Sequence, residues 1–214
     1  MAFTDTDICN MALGHIQSRP IDNLQTDNGA EGIACRTYYS VARADILSRF
    51  DWSFARRSAV LPINVESPQN TKYAYQYLRP ADAISIRKLT HSSDESALID
   101  YEQGIYVNPV GNAEQQVILC NFPNPLCTYT REVTSNSLFS PSFTLAFSYR
   151  LAMELCTALN LNDRKAQVSQ LFVATMQDAM MDDANQFRDE IKHVDLAQEL
   201  TGDSPINSYI PEPT

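Results

Sequence analysis

The chain has 214 residues, a mass of 24.0 kDa, a formal net charge of −10 and a pI near 4.7. That length suits one domain, or one domain carrying an inserted subdomain. The acidic balance disfavours a surface that grips DNA or RNA, because phosphate binding rests on clustered Lys and Arg. No apolar run approaches the roughly 18 residues of a membrane span.

Hydrophobic residues make up 44% and charged residues 20%, the balance of a folded soluble protein. The N-terminal MAFTDTDICN lacks a basic stretch and an apolar stretch, so no secretory signal is expected. Charge is uneven: from Asp178 to Thr214 there are nine acidic and two basic residues, a net of −7, which leaves −3 for the rest.

The first helix is expected from Thr4, whose hydroxyl with Asp7 forms a capping arrangement. Ile8, Met11, Ala12 and Ile16 follow at helical spacing, and Pro20 ends the helix by about Ser18. A second helix is expected from Asp27 or Asn28 to about Phe50, roughly 33 Å long. Glu31 would cap it, and Ala34, Thr37/Tyr38, Val41, Ala44/Asp45 and Leu47 would form its apolar face, with Arg36, Arg43 and Arg49 outside.

Phe50, Trp52 and Phe54 alternate as the chain becomes extended toward Leu61. A loop over residues 64–71 follows. Tyr73, Tyr75 and Tyr77 then alternate, which reads as one buried face of a β-sheet. A stacking platform for bases or sugars would need interleaved basic residues, and only Lys72 and Arg79 flank them. Ile84 and Ile86 continue the alternation. Ala97–Tyr101 and Ile105–Val107 flank Glu102-Gln103-Gly104, a hairpin candidate. Val117–Cys120 and Tyr129–Val133 are further strands, about five to seven in all.

Helix returns with Ser140 as N-cap and Pro141 at the first helical position. The following FTLAFSYRLAMELCTALNL is apolar nearly all round, so it is expected to be buried on several sides, within the chain or between subunits. After a turn at Asn160–Asp163, a last helix is expected to about Phe187, with Val168, Leu171/Phe172, Thr175, Ala179 and Phe187 as its stripe. Met176, Met180 and Met181 suit core filling, or else an adaptable contact surface. DEIKHVDLAQEL has room for a short amphipathic helix. TGDSPINSYIPEPT has three prolines and no period and reads as an extended tail, either disordered or ordered on a partner through Ile206, Tyr209 and Ile210.

These elements define an α+β fold: an antiparallel helical bundle from two N-terminal and two C-terminal helices, an inserted small antiparallel β subdomain, and an extended C-terminal tail. The expected division is residues 1–54 with 140–188 for the bundle, 55–139 for the β subdomain and 189–214 for the tail.

Chemistry is sparse. Cys9, Cys35, Cys120, Cys127 and Cys156 are odd in number and contain no CxxC, which suits free thiols in a reducing compartment. His15, His91 and His193 lie far apart, without metal-ligand spacing. No GxSxG, GxGxxG or GxxxxGK[ST] string occurs, and six glycines leave little for phosphate-cradling loops. Asp182-Asp183 and Asp189-Glu190 read as solvated acidic pairs. No catalytic, cofactor-binding or metal-ligating residue is nominated.

Three blocks, in order, carry a resemblance. The first is Ala12-Leu13-Gly14-His15-Ile16, the Pro20 to Leu24 loop, the long helix Ala30 to Phe50, Trp52 to Ala55 and Ala59 to Leu61. The second is YAYQYLRPADAISIRKL, with Arg79-Pro80-Ala81-Asp82 after the tyrosine strand. The third is FTLAFSYRLAMELCTALNLNDRKAQVSQLFVATMQDAMMDDANQ. Their sequence resembles the tail tubular protein A family of bacteriophage head-to-tail adaptors, over about 60% of the chain. Residues 90–134 match least.

The resemblance implies a structural virion protein at the portal vertex, made in the host cytoplasm. It would form a ring of about twelve copies that joins the portal protein to a tail nozzle or tail tube protein. Genomic DNA would pass through the channel without sequence-specific binding. No enzyme activity, cofactor or membrane is implied. Within the resemblance, Ile206, Tyr209 and Ile210 are candidates for portal docking. Phe143, Phe147, Leu151, Leu155, Met176 and Met180 are candidates for subunit packing. The β insertion would face the tail, and loss of residues from about Asp189 onward would weaken portal attachment while leaving the fold intact. Alternatives are a neck or tail-completion protein, a scaffold protein absent from the mature particle, or a virion-associated hydrolase.

Overall fold

The structure is a computed structural model that describes residues 3–63, 72–107 and 113–201, with side chains as far as 186. Among the described residues it is a mixed α+β protein of four α-helices and two antiparallel sheets.

Helix α1 (Asp5–His15) begins where local chemistry dictates. Thr4 Oγ1 accepts from Asp7 N at 3.1 Å, and Asp7 returns the bond to Thr4 N at 2.9 Å. Helix α2 (Ala30–Arg49) starts later than expected. Its N-cap, Gly29, has no side chain with which to cap, and Asp27 Oδ1 accepts from Gly29 N at 2.7 Å in the turn before it. Arg36 secures that entry by donating to the carbonyls of Leu24 and Asp27.

The buried face of α2 is Gly32, Ala34, Cys35, Tyr39, Ala42, Ile46 and Leu47. The expected face is therefore rotated: Thr37, Val41 and Ala44 point to solvent. The arginines misled the reading, because Arg36 is tied down to carbonyls and Arg43 is drawn to Glu132 at 3.2 Å.

Trp52 is fully buried and donates from Nε1 to Ile46 O at 3.0 Å. The extended run expected from Phe50 is broken by a 3-10 turn at Ser53–Ala55, and strand β1 (Arg56–Val60) begins after it. The remaining strands are β2 (Tyr75–Leu78), β3 (Ala83–His91), β4 (Asp94–Leu98), β5 (Tyr101–Val107), β6 (Glu114–Cys120) and β7 (Leu126–Arg131). One sheet has the order β1-β7-β3-β4 and the other β2-β6-β5. Tyr77, Ile118 and Cys120 from the second sheet meet Ile86, Leu89, Cys127 and Tyr129 from the first in a shared apolar cluster. The tyrosine alternation holds in part: Tyr77 is buried and Tyr75 stacks beside it, whereas Tyr73 precedes β2 and packs on a separate cluster with Tyr106, Val117 and Leu119.

The expected hairpin at Glu102-Gln103-Gly104 is incorrect. Those residues lie inside β5, paired with Leu119, Ile118 and Val117 of β6, and the hairpin partner of β4 is β3. A central glycine in a strand looks like a turn in sequence, but Gly104 pairs with Val117 in mid-strand.

Helix α3 (Pro141–Ala158) is capped as expected, with Ser140 Oγ accepting from Phe143 N at 3.2 Å. Replacing Ser140 with alanine should cost about 1 kcal/mol, read as a shift in the urea midpoint; no shift would remove the cap from the account. Helix α4 (Asn162–Thr201) continues past Phe187 to Thr201. The tail boundary expected at residue 189 is therefore incorrect, for a local reason: residues 188–201 contain neither Gly nor Pro, and the first breakers in sequence are Gly202 and Pro205.

The inward stripe of α4 is Val168, Phe172, Met176, Ala179 and Asp183, while Leu171 is largely exposed and Thr175 lies at the edge. Phe187 lies outside the residues whose side chains are described. Residues from all four helices share one cluster, with Trp52, Val133 and Phe139 added from the connecting segments.

Two polar clamps tie helices to the segments that flank them in space, one to strand β3 and one to the 3-10 turn at Ser53–Ala55. The guanidinium of Arg87 on β3 donates from Nη2 to the carbonyls of Leu47, Ser48 and Phe50 at 3.4, 2.9 and 2.5 Å. It donates from Nε to Thr130 Oγ1 at 2.8 Å. These carbonyls close α2, so a strand residue supplies the donors that a helix end lacks. From α4, the carboxylate of Asp183 accepts from Ser53 N at 3.0 Å and Ser53 Oγ at 2.7 Å.

Candidate assembly surfaces

Each residue nominated for subunit packing can be placed. Phe143, Phe147, Leu151 and Leu155 are fully buried in the chain's own core, Met176 is almost so, and Met180 packs against the same cluster. They contact Trp52, Tyr39 and Phe139 through ring pairs such as Trp52–Phe143 at 4.9 Å and Tyr39–Phe147 at 5.1 Å. Within the described chain the all-round apolar helix α3 is covered by α1, α2 and α4, so Phe143, Phe147, Leu151, Leu155 and Met176 serve the chain's own core, while Met180 stays partly exposed. Ile206, Tyr209 and Ile210 lie outside the described residues.

The apolar residues that do face solvent lie elsewhere. On α2, Ile33 is 53% and Val41 56% exposed; on α4, Val173 is 53% and Met181 64% exposed. On the sheets, Leu98 of β4 and Ile105 of β5 stand out. Exposed Asp178 and Asp182 line α4 beside its apolar positions.

Two shallow clefts, of about 290 and 270 Å³, flank the end of the second sheet and share Arg79 and Gln116. Arg79 donates to Gln116 Oε1 and to the carbonyl of Ile84. No carboxylate, His or Cys lines either cleft.

Among the described residues, no group of three His, Cys, Asp or Glu side chains is placed to hold a metal ion. The five cysteines are buried free thiols. Burial pushes Cys127 up to about 11, and hydrogen bonding to Cys35 together with burial raises Cys9. Neither is poised as a nucleophile at neutral pH.

His15 Nε2 lies 2.9 Å from Ser148 Oγ, and its ring stacks on Tyr149 at 3.7 Å. Ser148 is fully buried and donates its hydroxyl proton to Leu145 O at 2.7 Å, so this His–Ser contact is a packing feature. Burial holds the His15 imidazole below its ordinary value. Its folded state therefore favours the neutral ring. The associated stability is full above the unfolded value of about 6.5 and is lost as pH falls below it, when the unfolded chain takes up the proton first. The urea midpoint should drop between pH 7.5 and 5.5, and His15→Phe should remove part of that drop; an unchanged pH profile would refute the assignment.

Among the described residues, no helix is long and apolar enough to cross a membrane. In comparisons with known proteins, no protein-family model and no curated protein matches this chain.

Proposed function

We propose that the protein is a head-to-tail adaptor of a bacteriophage particle, a structural virion protein at the portal vertex. In this reading it has the bundle-and-insertion plan: an antiparallel helical bundle, an inserted β subdomain and an extended C-terminal tail. A ring of about twelve copies joins the portal protein to a tail nozzle or tail tube protein and continues the DNA channel. It carries out no catalysis and needs no cofactor.

The observation that carries the reading is the order and spacing of the three sequence blocks. Two features are in keeping with it. The first and third blocks contribute to one helical core although the β strands lie between them in sequence. The surplus negative charge suits a wall past which DNA slides, since like charges repel.

The test is the mass of the full chain by light scattering, alone and after mixing with the portal ring of its phage. Addition of about twelve copies to the portal is expected. No association at native salt would overturn the reading and favour a scaffold protein or a hydrolase. Full-length protein with Ile206, Tyr209 and Ile210 changed to serine should add to the portal at least tenfold more weakly. Equal addition would remove those three residues from the docking role.

A further inference from the structure

We propose that the outward face of α2 is a seat for the distal part of α4, residues 184–201, of a second copy. This inference rests on the ring reading and names the contact that builds it.

The seat is an uncharged helix face. Ile33, Thr37, Ser40, Val41 and Ala44 are all exposed, and their spacing of three and four places them on one side of α2. From Ala30 to Ser48 this side contains no charged residue and runs about 27 Å at 1.5 Å per residue. Its arginines do not interrupt it. Arg36 turns to the carbonyls of Leu24 and Asp27, and Arg43 turns to Glu132. Of the positions nominated from sequence as the core face of α2, Ala34 and Leu47 are buried, whereas Thr37, Val41 and Ala44 are left on the outside. A helix side of this length, with Ile33 and Val41 more than half exposed, lacks a partner within the described chain.

The occupant follows from length, pattern and charge. Helix α4 spans about 60 Å against about 27 Å for α3, and its last described anchor on the core is Asp183 at the Ser53 turn. The 184–201 stretch beyond that anchor is again about 27 Å long, the length of the seat. In sequence it carries Phe187, Ile191 and Val194 at positions i, i+4 and i+7, the pattern of a helix that lays one side into an apolar groove. It has four acidic and two basic residues, and an uncharged seat spares it the like-charge contact that arm against arm would make. Because α4 is one uninterrupted helix, the arm does not double back onto the α2 of its own chain. Seat and arm are different surfaces, so the contact is head-to-tail, the kind that closes a ring when the rotation permits.

The experiment is sedimentation velocity on the full chain over a concentration series at low salt, for the native protein, Val41→Glu, Ile33→Glu and Ile191→Glu. Circular dichroism confirms that each variant is folded, which exposure of Ile33 and Val41 favours. Self-association of the native chain is expected, at least tenfold weaker in each variant. An equimolar mixture of Val41→Glu and Ile191→Glu should regain a species of two chains that neither forms alone, because one supplies an intact arm and the other an intact seat.

Three results would overturn the proposal. These are a native chain that stays monomeric throughout, variants that associate like the native chain, or a mixture that yields no pair. If Val41→Glu blocked addition to the portal while leaving self-association intact, the seat would belong to another protein and the proposal would also fall. Addition of the native chain to the portal with unchanged addition of all three variants would sink this contact while leaving the adaptor reading standing.

Discussion

Replacing Trp52 with alanine should cost about 3–5 kcal/mol, the largest effect of any single substitution considered. Trp52 is fully buried, and its ring meets Phe50 at 5.1 Å, Phe143 at 4.9 Å and Phe54 at 6.0 Å. Its indole N–H is bonded to Ile46 O, so truncation leaves both a cavity and an unpaired carbonyl near the end of α2. Residues from N-terminal and C-terminal helices meet around it, so there is little freedom to collapse into the void. The measurement is urea unfolding followed by circular dichroism, because the substitution removes the only tryptophan. A loss below about 1 kcal/mol would mean that the ring does not organise this core.

The second large effect is expected at Arg87. Arg87→Met keeps the stem and removes the donors that hold Leu47, Ser48 and Phe50, so three carbonyls at the end of α2 lose a charged partner. A cost of about 2–4 kcal/mol is expected from charged hydrogen bonds replaced by a thioether. The clamp also joins the two cores, so thermal unfolding that is a single transition in the native chain should broaden or split in two. A variant melting as sharply as native, within about 0.5 kcal/mol, would show that water replaces the guanidinium at no cost.

What was legible in sequence was local. Thr4 with Asp7 and Ser140 with Pro141 place helix starts because a cap involves only residues within a turn of each other. The tyrosine alternation was legible for the same reason. Pairing was not: Gly104 gives the same local signal whether it bends a hairpin or sits in mid-strand against Val117, and only the partner β6 decides. The face of α2 was misread because its outward side is as uncharged as much of its inward side, which leaves periodicity without contrast. The candidate packing residues of α3 meet a related ambiguity. Apolarity all round α3 marks burial, but composition does not say whether a neighbouring subunit or the same chain supplies the cover.

The helical core is sewn from the two ends of the chain. Arg164 on α4 reaches the carbonyl of Ile16, His15 meets Ser148, and Asp183 holds Ser53, contacts that span 148, 133 and 130 positions of sequence. During synthesis the first 54 residues therefore leave the ribosome with no surface on which to bury Ile8, Tyr39, Ile46 or Trp52. The strands that follow have their partners close at hand in time, and their sheets are free to form first. The early helices must wait, greasy and incomplete, until α3 and the first turns of α4 have emerged. A stop anywhere before about residue 185 thus leaves those early helices without the half that closes over them.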